Sequence, residues 1–551
     1  MNQLNQGIKF CNFQDVRTSL LEKREIAFLD VREEDPHARA HPLFAANFPL
    51  SRLEQDAYSK MPRRDVRVVT FDAGDQQDVV LSDAYLAALR LVKLGYSDVS
   101  VFSGGLKSWA DAGGELFIDV NVPSKSFGEL VESKVHTPSL SAEEVKSLID
   151  NKADVVILDV RRFDEYHTMN IPTSTSCPGA ELVLRVAELA PNPNTRVIVN
   201  CAGRTRSIIG TQSLINAGIP NQVNALRNGT IGWTLAGQAL DRGQTRKYSE
   251  VSEQTTRAAG VRARDVANRA GVKRASLSDV EVWRQQCERT TYLFDTRAPE
   301  EFAAGHIAGF RSTPGGQLVQ ETEMVAPVRG GRIVLVDSDG VRANMTASWL
   351  AQMAWDVYVL DDVPASAFNE KGSWKSLSPA QPGVNNIDPL TLSSSLAALT
   401  ADDDLQVIDT LVIDLAKHVE YLRGHIPGAR YVMRSQFKQA LNALPLAKRY
   451  VLTCPDGIQA TFAYEEIKEL LQSRSNAQVD VLSGGTQAWI TAGLDLESGP
   501  THLVSEPIDR YKRPYEGTNV PREAMQAYLD WEFGLVEQLG KDGTHHFWVL
   551  D

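Results

Sequence analysis

Cysteine is scarce in this sequence, with only five residues among 551. No two of them have the close spacing of a metal-ligand pair, and an odd, scattered set does not suggest a disulfide framework. The sequence therefore predicts free thiols in a reducing cytoplasm, with no metal and no cofactor. The five are Cys11, Cys177, Cys201, Cys287 and Cys454.

Long apolar runs and an excess of positive charge are also missing. No run approaches the roughly 20 apolar residues of a membrane span, and the first six residues lack the basic and apolar stretches of a signal peptide. The net charge of −13 argues against nucleic acid or an anionic membrane as the main partner. We expect a cytoplasmic protein whose partners are small molecules.

The sequence repeats one block four times. In each copy an apolar strand ends in an aspartate, at Asp30, Asp159, Asp295 and Asp414. The intervals of 119 to 136 residues are those of domains rather than of a solenoid. Short apolar strands that alternate with helical runs predict an α/β fold in which each domain has a mainly parallel sheet flanked by helices.

The repeats set the expected boundaries. The stretch 243–275 is rich in Arg and Ala and is expected to form a helical connector. Apolar residues recur at helical spacing from Glu523 to Leu539, so a C-terminal tail helix is predicted, and packing on a domain is favoured over contact with a partner. We place domain one at 6–122, domain two at 135–242, domain three at 262–376, domain four at 385–498 and the tail at 501–551.

A second block follows each aspartate by 40 to 42 residues and has the pattern strand, loop, helix. Its strand-end residue is Asp72, Cys201, Asp337 or Cys454 in the four copies. A helix N-terminus offers unpaired N–H groups and partial positive charge, which hold anions and lower the pKa of a thiol. We therefore predict that Cys201 is a thiolate. Its predicted anion-binding loop is Ala202, Gly203, Arg204, Thr205, Arg206 and Ser207.

A third block closes three of the copies with a glycine and a tryptophan, as in Ser483-Gly484-Gly485 with Trp489. Together with the Asp-x-Arg strand ends, Gly424-His425-Ile426-Pro427-Gly428 and the Cys201 loop, it resembles the rhodanese (sulfurtransferase) family, as four tandem rhodanese-like domains. The resemblance implies a cysteine that takes a sulfane sulfur from thiosulfate or 3-mercaptopyruvate, becomes a persulfide, and passes the sulfur to a thiol, to cyanide or to an acceptor protein.

The four copies differ at the reactive position. A carboxylate cannot hold a persulfide, so the copies with Asp72 and Asp337 are expected to be inactive. Cys201 is the main catalytic candidate, with Arg204 and Arg206 binding the donor. Cys454 is a second candidate, because its loop has no cation and Asp456 is expected to repel an anionic donor and to raise the thiol pKa.

Other conspicuous residues are interpreted as structural. Asp159, Arg161 and Glu165 are predicted to form an ion pair and a strand cap, since similar residues recur in the copies that lack a reactive thiol. His306 and His425 are expected to anchor turns. Trp109, Trp233 and Trp489 are assigned to the core, with Trp233 retained as a candidate wall of the pocket. Cys11, Cys177 and Cys287 are expected to be inert.

Two other functions stay open. Cysteine phosphatases and arsenate reductases share the rhodanese-like fold, but their loop is Cys-x5-Arg, whereas here Arg206 gives Cys-x4-Arg and Ser207 occupies the next position. The tighter loop fits a sulfur atom better than a phosphate. The second alternative is a scaffold that carries persulfide between partners.

Overall fold

Each repeated aspartate ends an inner strand of its own sheet. The computed structural model describes residues 7–76, 80, 82–361, 363–397, 407–517 and 519–551, so the first six residues, which carry the start of domain one, lie outside the described part. The four parallel sheets, their flanking helices and the C-terminal helix confirm the predicted fold class.

The strands are short because each is one apolar run bounded by polar loops. They are β1 (Lys9–Cys11), β2 (Ile26–Asp30), β3 (Ala46–Asn47), β4 (Val68–Phe71), β5 (Val99–Phe102), β6 (Ser139–Leu140), β7 (Val155–Asp159), β8 (Thr175–Ser176), β9 (Arg196–Asn200), β10 (Val223–Leu226), β11 (Lys273–Ala275), β12 (Thr291–Asp295), β13 (Arg311–Ser312), β14 (Val328–Arg329), β15 (Arg332–Val336), β16 (Asp356–Leu360), β17 (Asn386–Ile387), β18 (Ile408–Asp414), β19 (Arg430–Tyr431), β20 (Ala447–Thr453) and β21 (Gln478–Leu482).

The four sheets share one strand order. It is β1-β5-β4-β2-β3 in the first, β6-β10-β9-β7-β8 in the second, β11-β16-β15-β12-β13 in the third and β17-β21-β20-β18-β19 in the fourth, with all neighbours parallel. Strand β14 departs from this plan, because it leaves the third repeat and pairs antiparallel with β2 of the first.

Helices cover both faces of the sheets, as parallel strands require. They are α1 (Phe13–Leu21), α2 (Glu34–Arg39), α3 (Leu53–Lys60), α4 (Asp83–Lys93), α5 (Gly105–Asp111), α6 (Val122–Val135), α7 (Ala142–Asp150), α8 (Phe163–Thr168), α9 (Leu182–Leu189), α10 (Thr205–Asn216), α11 (Gly229–Leu235), α12 (Glu253–Arg269), α13 (Leu277–Gln285), α14 (Pro299–Ala304), α15 (Gly315–Gln320), α16 (Thr322–Val325), α17 (Arg342–Gln352), α18 (Pro389–Ala397), α19 (His418–Arg423), α20 (Phe437–Ala440), α21 (Ile458–Gln472), α22 (Gly485–Thr491) and α23 (Arg522–Asp542), with short 3₁₀ turns at Leu50–Arg52, Gly179–Glu181, Ala365–Ala367, Arg434–Gln436 and Leu441–Ala443.

The predicted connector 243–275 contains a helix, α12 (Glu253–Arg269), as its composition predicts. The last three residues of the connector instead form β11 (Lys273–Ala275), which pairs with β16 at the edge of the third sheet. The sequence Lys273-Arg274-Ala275 has no strand signal of its own, so the neighbouring strand determines its conformation.

The hydrophobic core joins repeats that are distant in sequence. One cluster contains Phe28 and Trp109 of the first repeat, Leu335 and Trp349 of the third, and Leu535 of the tail helix. Separate clusters fill the second and fourth repeats. The tail helix α23 packs on α6, which links the first two repeats.

No helix in the described part of the chain combines the length and hydropathy needed to cross a membrane.

Candidate active site

The Cys201 loop joins β9 to α10 at the carboxyl edge of the second sheet. The Cys201 thiol donates a hydrogen bond to Ser207 Oγ at 3.5 Å, and that hydroxyl donates to the carbonyl of Arg204 at 2.8 Å. The main-chain N–H of Ser207 also interacts with the sulfur. The thiol thus faces the start of α10, where N–H groups have no partner within the helix.

The third block of the repeat holds this loop by its carbonyl groups. The N–H groups of Thr230 and Ile231 donate to the carbonyls of Cys201 and Ala202 at 2.9 and 3.0 Å. Gly229 must be glycine, because a Cβ there would lie 2.3 Å from the Cys201 carbonyl oxygen, and its φ is +53°. Gly485 makes the same close approach to the Cys454 carbonyl, at 2.1 Å.

Both arginines of the loop are already paired. Arg204 is buried, and its guanidinium contacts Glu129 at 2.7 and 2.8 Å as well as Glu132. Arg206 makes a two-pronged ion pair with Glu165, at 2.8 and 2.9 Å. A donor that binds Arg204 or Arg206, as predicted, would therefore have to compete with the carboxylate that already holds each guanidinium.

Burial raises the pKa of the Cys201 thiol above its ordinary value, although Arg206 and the hydrogen bonds from Ser207 act to lower it. Burial therefore works against the predicted thiolate, which stays a prediction. Loss of hydration penalises the charged sulfur more than one paired guanidinium and a few dipoles favour it.

The tail covers the loop, a contribution that the motif analysis missed. Tyr528 and Leu529 of α23 pack against Ala202, together with Tyr515 and Met525. Glu532 is fully buried beside Gly203, and one of its oxygens, Oε2, has no hydrogen-bond partner. Burial, with Glu129 nearby, raises the pKa of Glu532 to about 8.

These tail residues lie more than 300 positions after Cys201. Their signal in the sequence was the helical spacing of aromatic residues, which shows that the helix has a buried face but not what that face covers.

The aspartates at the reactive position fill their own loops. Asp72 accepts hydrogen bonds from the N–H groups of Gly74 and Ala84, at 2.9 and 3.0 Å. Asp337 accepts from Gly340 and Ala343, at 2.8 and 2.7 Å. In both repeats a carboxylate takes the amide donors that an anionic donor or a persulfide would need.

The Cys454 loop places its sulfur against two main-chain N–H groups, those of Gln459 and Ala460. The thiol donates to Asp456 Oδ1 at 3.6 Å. Burial raises the pKa of Cys454 to about 12, with a further contribution from Asp456 and Asp414.

The residues predicted to be structural have two different roles. Asp159 and Arg161 form a buried two-pronged pair, and Arg161 also donates to the carbonyl of Met169. Glu165 lies apart from that pair and belongs to the site, since it holds Arg206. His306 and His425 bind the carbonyls of Phe302 and Tyr421 one turn earlier, at 2.9 and 2.8 Å.

Trp233 is a core residue. It is completely buried, and its Nε1 donates to the carbonyl of Ala239 at 2.8 Å. It packs on the face of the second sheet with Ile157 and Ile198, so its interpretation as a pocket wall is wrong.

Three cavities lie where the repeats meet. A central cavity of about 560 Å³ is lined by Glu165, Arg206 and Tyr515, and a second of about 590 Å³ is lined by Cys454. A third, of about 480 Å³, lies between the second and third repeats. None of their walls includes Cys201.

Among the described residues, no group of three or more His, Cys, Asp or Glu side chains is arranged to hold a metal ion. All five cysteines are free thiols, and four of them are buried.

A family model for the rhodanese-like domain matches residues 14–112, 141–236, 278–362 and 394–492. Among solved structures, the chain is similar to a thiosulfate sulfurtransferase from Pseudomonas aeruginosa, with 60% identity over 99% of this chain and 100% of that one and a TM-score of 0.94. It is also similar to a rhodanese-like domain protein from Staphylococcus aureus, at 20% identity over 20% of this chain and 99% of that one, with a TM-score of 0.17. A Bacillus subtilis (strain 168) protein named "Putative sulfur carrier protein YrkF" is 25% identical over 137 residues, which are 23% of this chain and 72% of that protein.

Proposed function

Because this chain belongs to the rhodanese family, we propose that it is a thiosulfate sulfurtransferase in which Cys201 carries the sulfur as a persulfide. The observation that carries the proposal is the Cys201 thiol, which lies at the N-terminus of α10 with the Ser207 N–H and hydroxyl against its sulfur. The whole-length relative that transfers sulfur from thiosulfate supports the choice of donor.

In the proposed reaction, thiosulfate enters the central cavity as a dianion and competes with Glu165 for Arg206, whose planar guanidinium suits an oxyanion. The displaced Arg206 side chain then opens a path from the cavity to Cys201. The Cys201 thiol loses its proton, which leaves on the departing sulfite as bisulfite, and the thiolate attacks the outer sulfur of thiosulfate. A new S–S bond forms, the S–S bond of thiosulfate breaks, and sulfite leaves with the electron pair. Cyanide or an acceptor thiolate then attacks the outer persulfide sulfur and restores Cys201.

Each half-reaction leaves a stable enzyme form, so ping-pong kinetics are expected. The loop amides would stabilise the persulfide anion. The paired Arg204 would have a positioning role, because Glu129 and Glu132 fix it against the outside of the loop. A reducing cytoplasm would keep the thiol available, and an acceptor protein is one destination for the sulfur.

The test is Cys201→Ser, compared with Cys177→Ser as a matched control. Cys177 is also buried and free, but it has no helix-start loop of this kind. We expect C201S to lose most thiosulfate-dependent sulfite release, together with the cyanide-removable sulfur on the peptide that contains residue 201. C177S should retain both. If C201S transfers sulfur as fast as the wild type, the assignment of Cys201 is wrong.

The two alternative functions are checked with the same proteins. Hydrolysis of p-nitrophenyl phosphate that depends on Cys201 would favour a phosphatase. A stable persulfide on Cys201 with no turnover would favour a scaffold that carries sulfur.

A further inference from the structure

Cys454 lines a cavity that its own repeat only partly encloses. The lining of the cavity also includes Arg52 and Lys60 of the first repeat and Arg311 and Trp374 of the third. The sequence of the Cys454 loop, which contains no cation, does not reveal these partners. Whether an anion can bind beside Cys454 is therefore decided by the assembled molecule.

Two of the cations in this cavity have no carboxylate within ion-pair distance in the described part of the chain, namely Arg311 and Lys417. Arg311 stacks on Trp374, with its guanidinium carbon 4.5 Å from the ring centre, and its buried Nη1 has no hydrogen-bond partner. Loss of hydration lowers the pKa of both Arg311 and Lys417. Asp56 attracts both cations and Glu420 also attracts Lys417, but neither cation has a direct ion pair, so each can bind an anion.

The carboxylates of the same wall are largely engaged. Asp56 pairs with Lys60 and Arg52, at 3.0 and 3.7 Å. Asp509 accepts a hydrogen bond from the main-chain N–H of His418, and Glu420 accepts one from the main-chain N–H of Lys417. Glu33 accepts a hydrogen bond from the Ser51 hydroxyl, and Glu34 accepts one from the main-chain N–H of Tyr511. Asp456 accepts from the Cys454 thiol. Glu321 is the remaining acidic residue of the wall. Because these carboxylates repel an anion, we expect it to bind near Arg311 and Lys417.

The sulfur itself has the same setting as Cys201. The N–H groups of Thr486 and Gln487 bind the carbonyls of Cys454 and Pro455, at 3.0 and 2.8 Å. The N–H groups of Gln459 and Ala460 are thereby presented to the thiol. An amide cradle and an anion-binding wall therefore lie in one cavity.

We propose that Cys454 is a second sulfur-accepting thiol, and that Arg311 of the third repeat and Lys417 bind the charged end of a small anionic sulfur donor there. This inference rests on the proposed sulfurtransferase function. In the loading step the Cys454 proton passes to Asp456, the thiolate bonds to the outer sulfur of thiosulfate, and sulfite leaves with the electrons of the broken S–S bond.

The experiment uses the full-length Cys201→Ser protein, so that Cys454 is the thiol under study. It is treated with thiosulfate, and the peptide that contains Cys454 is examined by mass spectrometry for a sulfur that cyanide removes. We expect loading that saturates with thiosulfate concentration. Adding R311M or K417M should raise the half-saturating concentration about tenfold, the effect of losing roughly 1.4 kcal/mol of binding, and should leave the final extent of loading unchanged.

The matched control is K448M in the same background. Lys448 is exposed on the fourth repeat, pairs with Asp409 and is not part of the cavity wall, so the half-saturating concentration should not change. A neutral organic trisulfide gives a second comparison, because its loading of Cys454 should not respond to R311M or K417M.

Failures of the two proposals are distinguishable. If the wild type loads sulfur on Cys201 while Cys454 stays unmodified in C201S, the second site is refuted and the first stands. If Cys454 loads equally well in R311M, K417M and K448M, the assigned anion site is wrong. If neither thiol loads in the wild type, the sulfurtransferase proposal itself fails.

Discussion

At the scale of single residues, the candidate site could be predicted in part. The sequence located Cys201, Cys454 and the two aspartates at the reactive position, because all four follow an apolar strand. It could not show that Arg204 is neutralised, since its partner Glu129 lies 75 positions away on α6, and only folding brings the two together. Nor could the sequence show that burial of the Cys201 thiol opposes the effect of the loop charge on its pKa.

Glu532 gives a prediction at this scale. Its pKa in the folded protein is about 8, above the ordinary value of 4.5, so the fold favours the protonated form. Between these two values the unfolded chain loses the proton and the folded chain keeps it, so stability falls as pH rises from about 4.5 to 8. Glu532→Gln stays neutral and should avoid this loss, which is on the order of 2–4 kcal/mol.

The measurement is the urea midpoint of E532Q and the wild type at pH 5, 6.5 and 8, with the difference growing toward pH 8. Glu537→Gln on the exposed face of the same helix is the control and should follow the wild type at every pH. A constant difference between E532Q and the wild type across the range would contradict a protonated Glu532.

At the scale of elements, the sequence predicted the strand that ends in each repeated aspartate, the strand-loop-helix unit that follows it, the connector helix and the tail helix, and the fold class was predicted correctly. It did not predict β11 and β14, which are two or three residues long and contain lysine or arginine. Their conformation comes from the neighbouring strand that supplies their hydrogen bonds, which no local pattern can reveal.

The close approach of α11 to the Cys201 loop leads to a second prediction. Gly229→Ala would place a Cβ against the Cys201 carbonyl and force the loop to move. Overpacking costs about 1–3 kcal/mol, and the positive φ adds about 1 kcal/mol. We therefore expect a lower melting temperature together with the loss of most sulfur transfer.

Gly237→Ala isolates the backbone contribution. Gly237 ends the same helix with a φ of +75°, but no atom lies within 4 Å of its Cβ position. The G237A variant should lose roughly 1 kcal/mol of stability and keep its sulfur-transfer activity. Equal activity in the two variants would show that the loop tolerates displacement.

At the scale of the whole molecule, the repeats depend on one another through buried ion pairs that the sequence could not reveal. Arg434 of the fourth repeat binds Glu54 of the first, at 2.8 and 3.0 Å, and Arg342 of the third binds Glu181 of the second, at 2.9 Å. The repeat boundaries stay a prediction, because these contacts and the shared core cross them.

The Arg434–Glu54 pair allows a third prediction. Arg434→Met leaves Glu54 buried without its main counterion, which should cost about 3–5 kcal/mol. The double variant with E54Q should recover a large part of that cost, since no uncompensated charge remains. Differential scanning calorimetry of both single variants and the double variant measures the coupling. Purely additive losses would mean that the pair does not couple the first and fourth repeats.

Strand β14 has a consequence for how such a chain arose and how it can be divided. Val328 and Arg329 pair with β2 at the edge of the first sheet, whose other strands lie some 230 residues or more earlier in the chain. A gene shortened after the second repeat would encode a protein with that border unprotected, and exposed strand edges invite intermolecular association. The third repeat, which has Asp337 at the reactive position, therefore has a structural role in the first repeat.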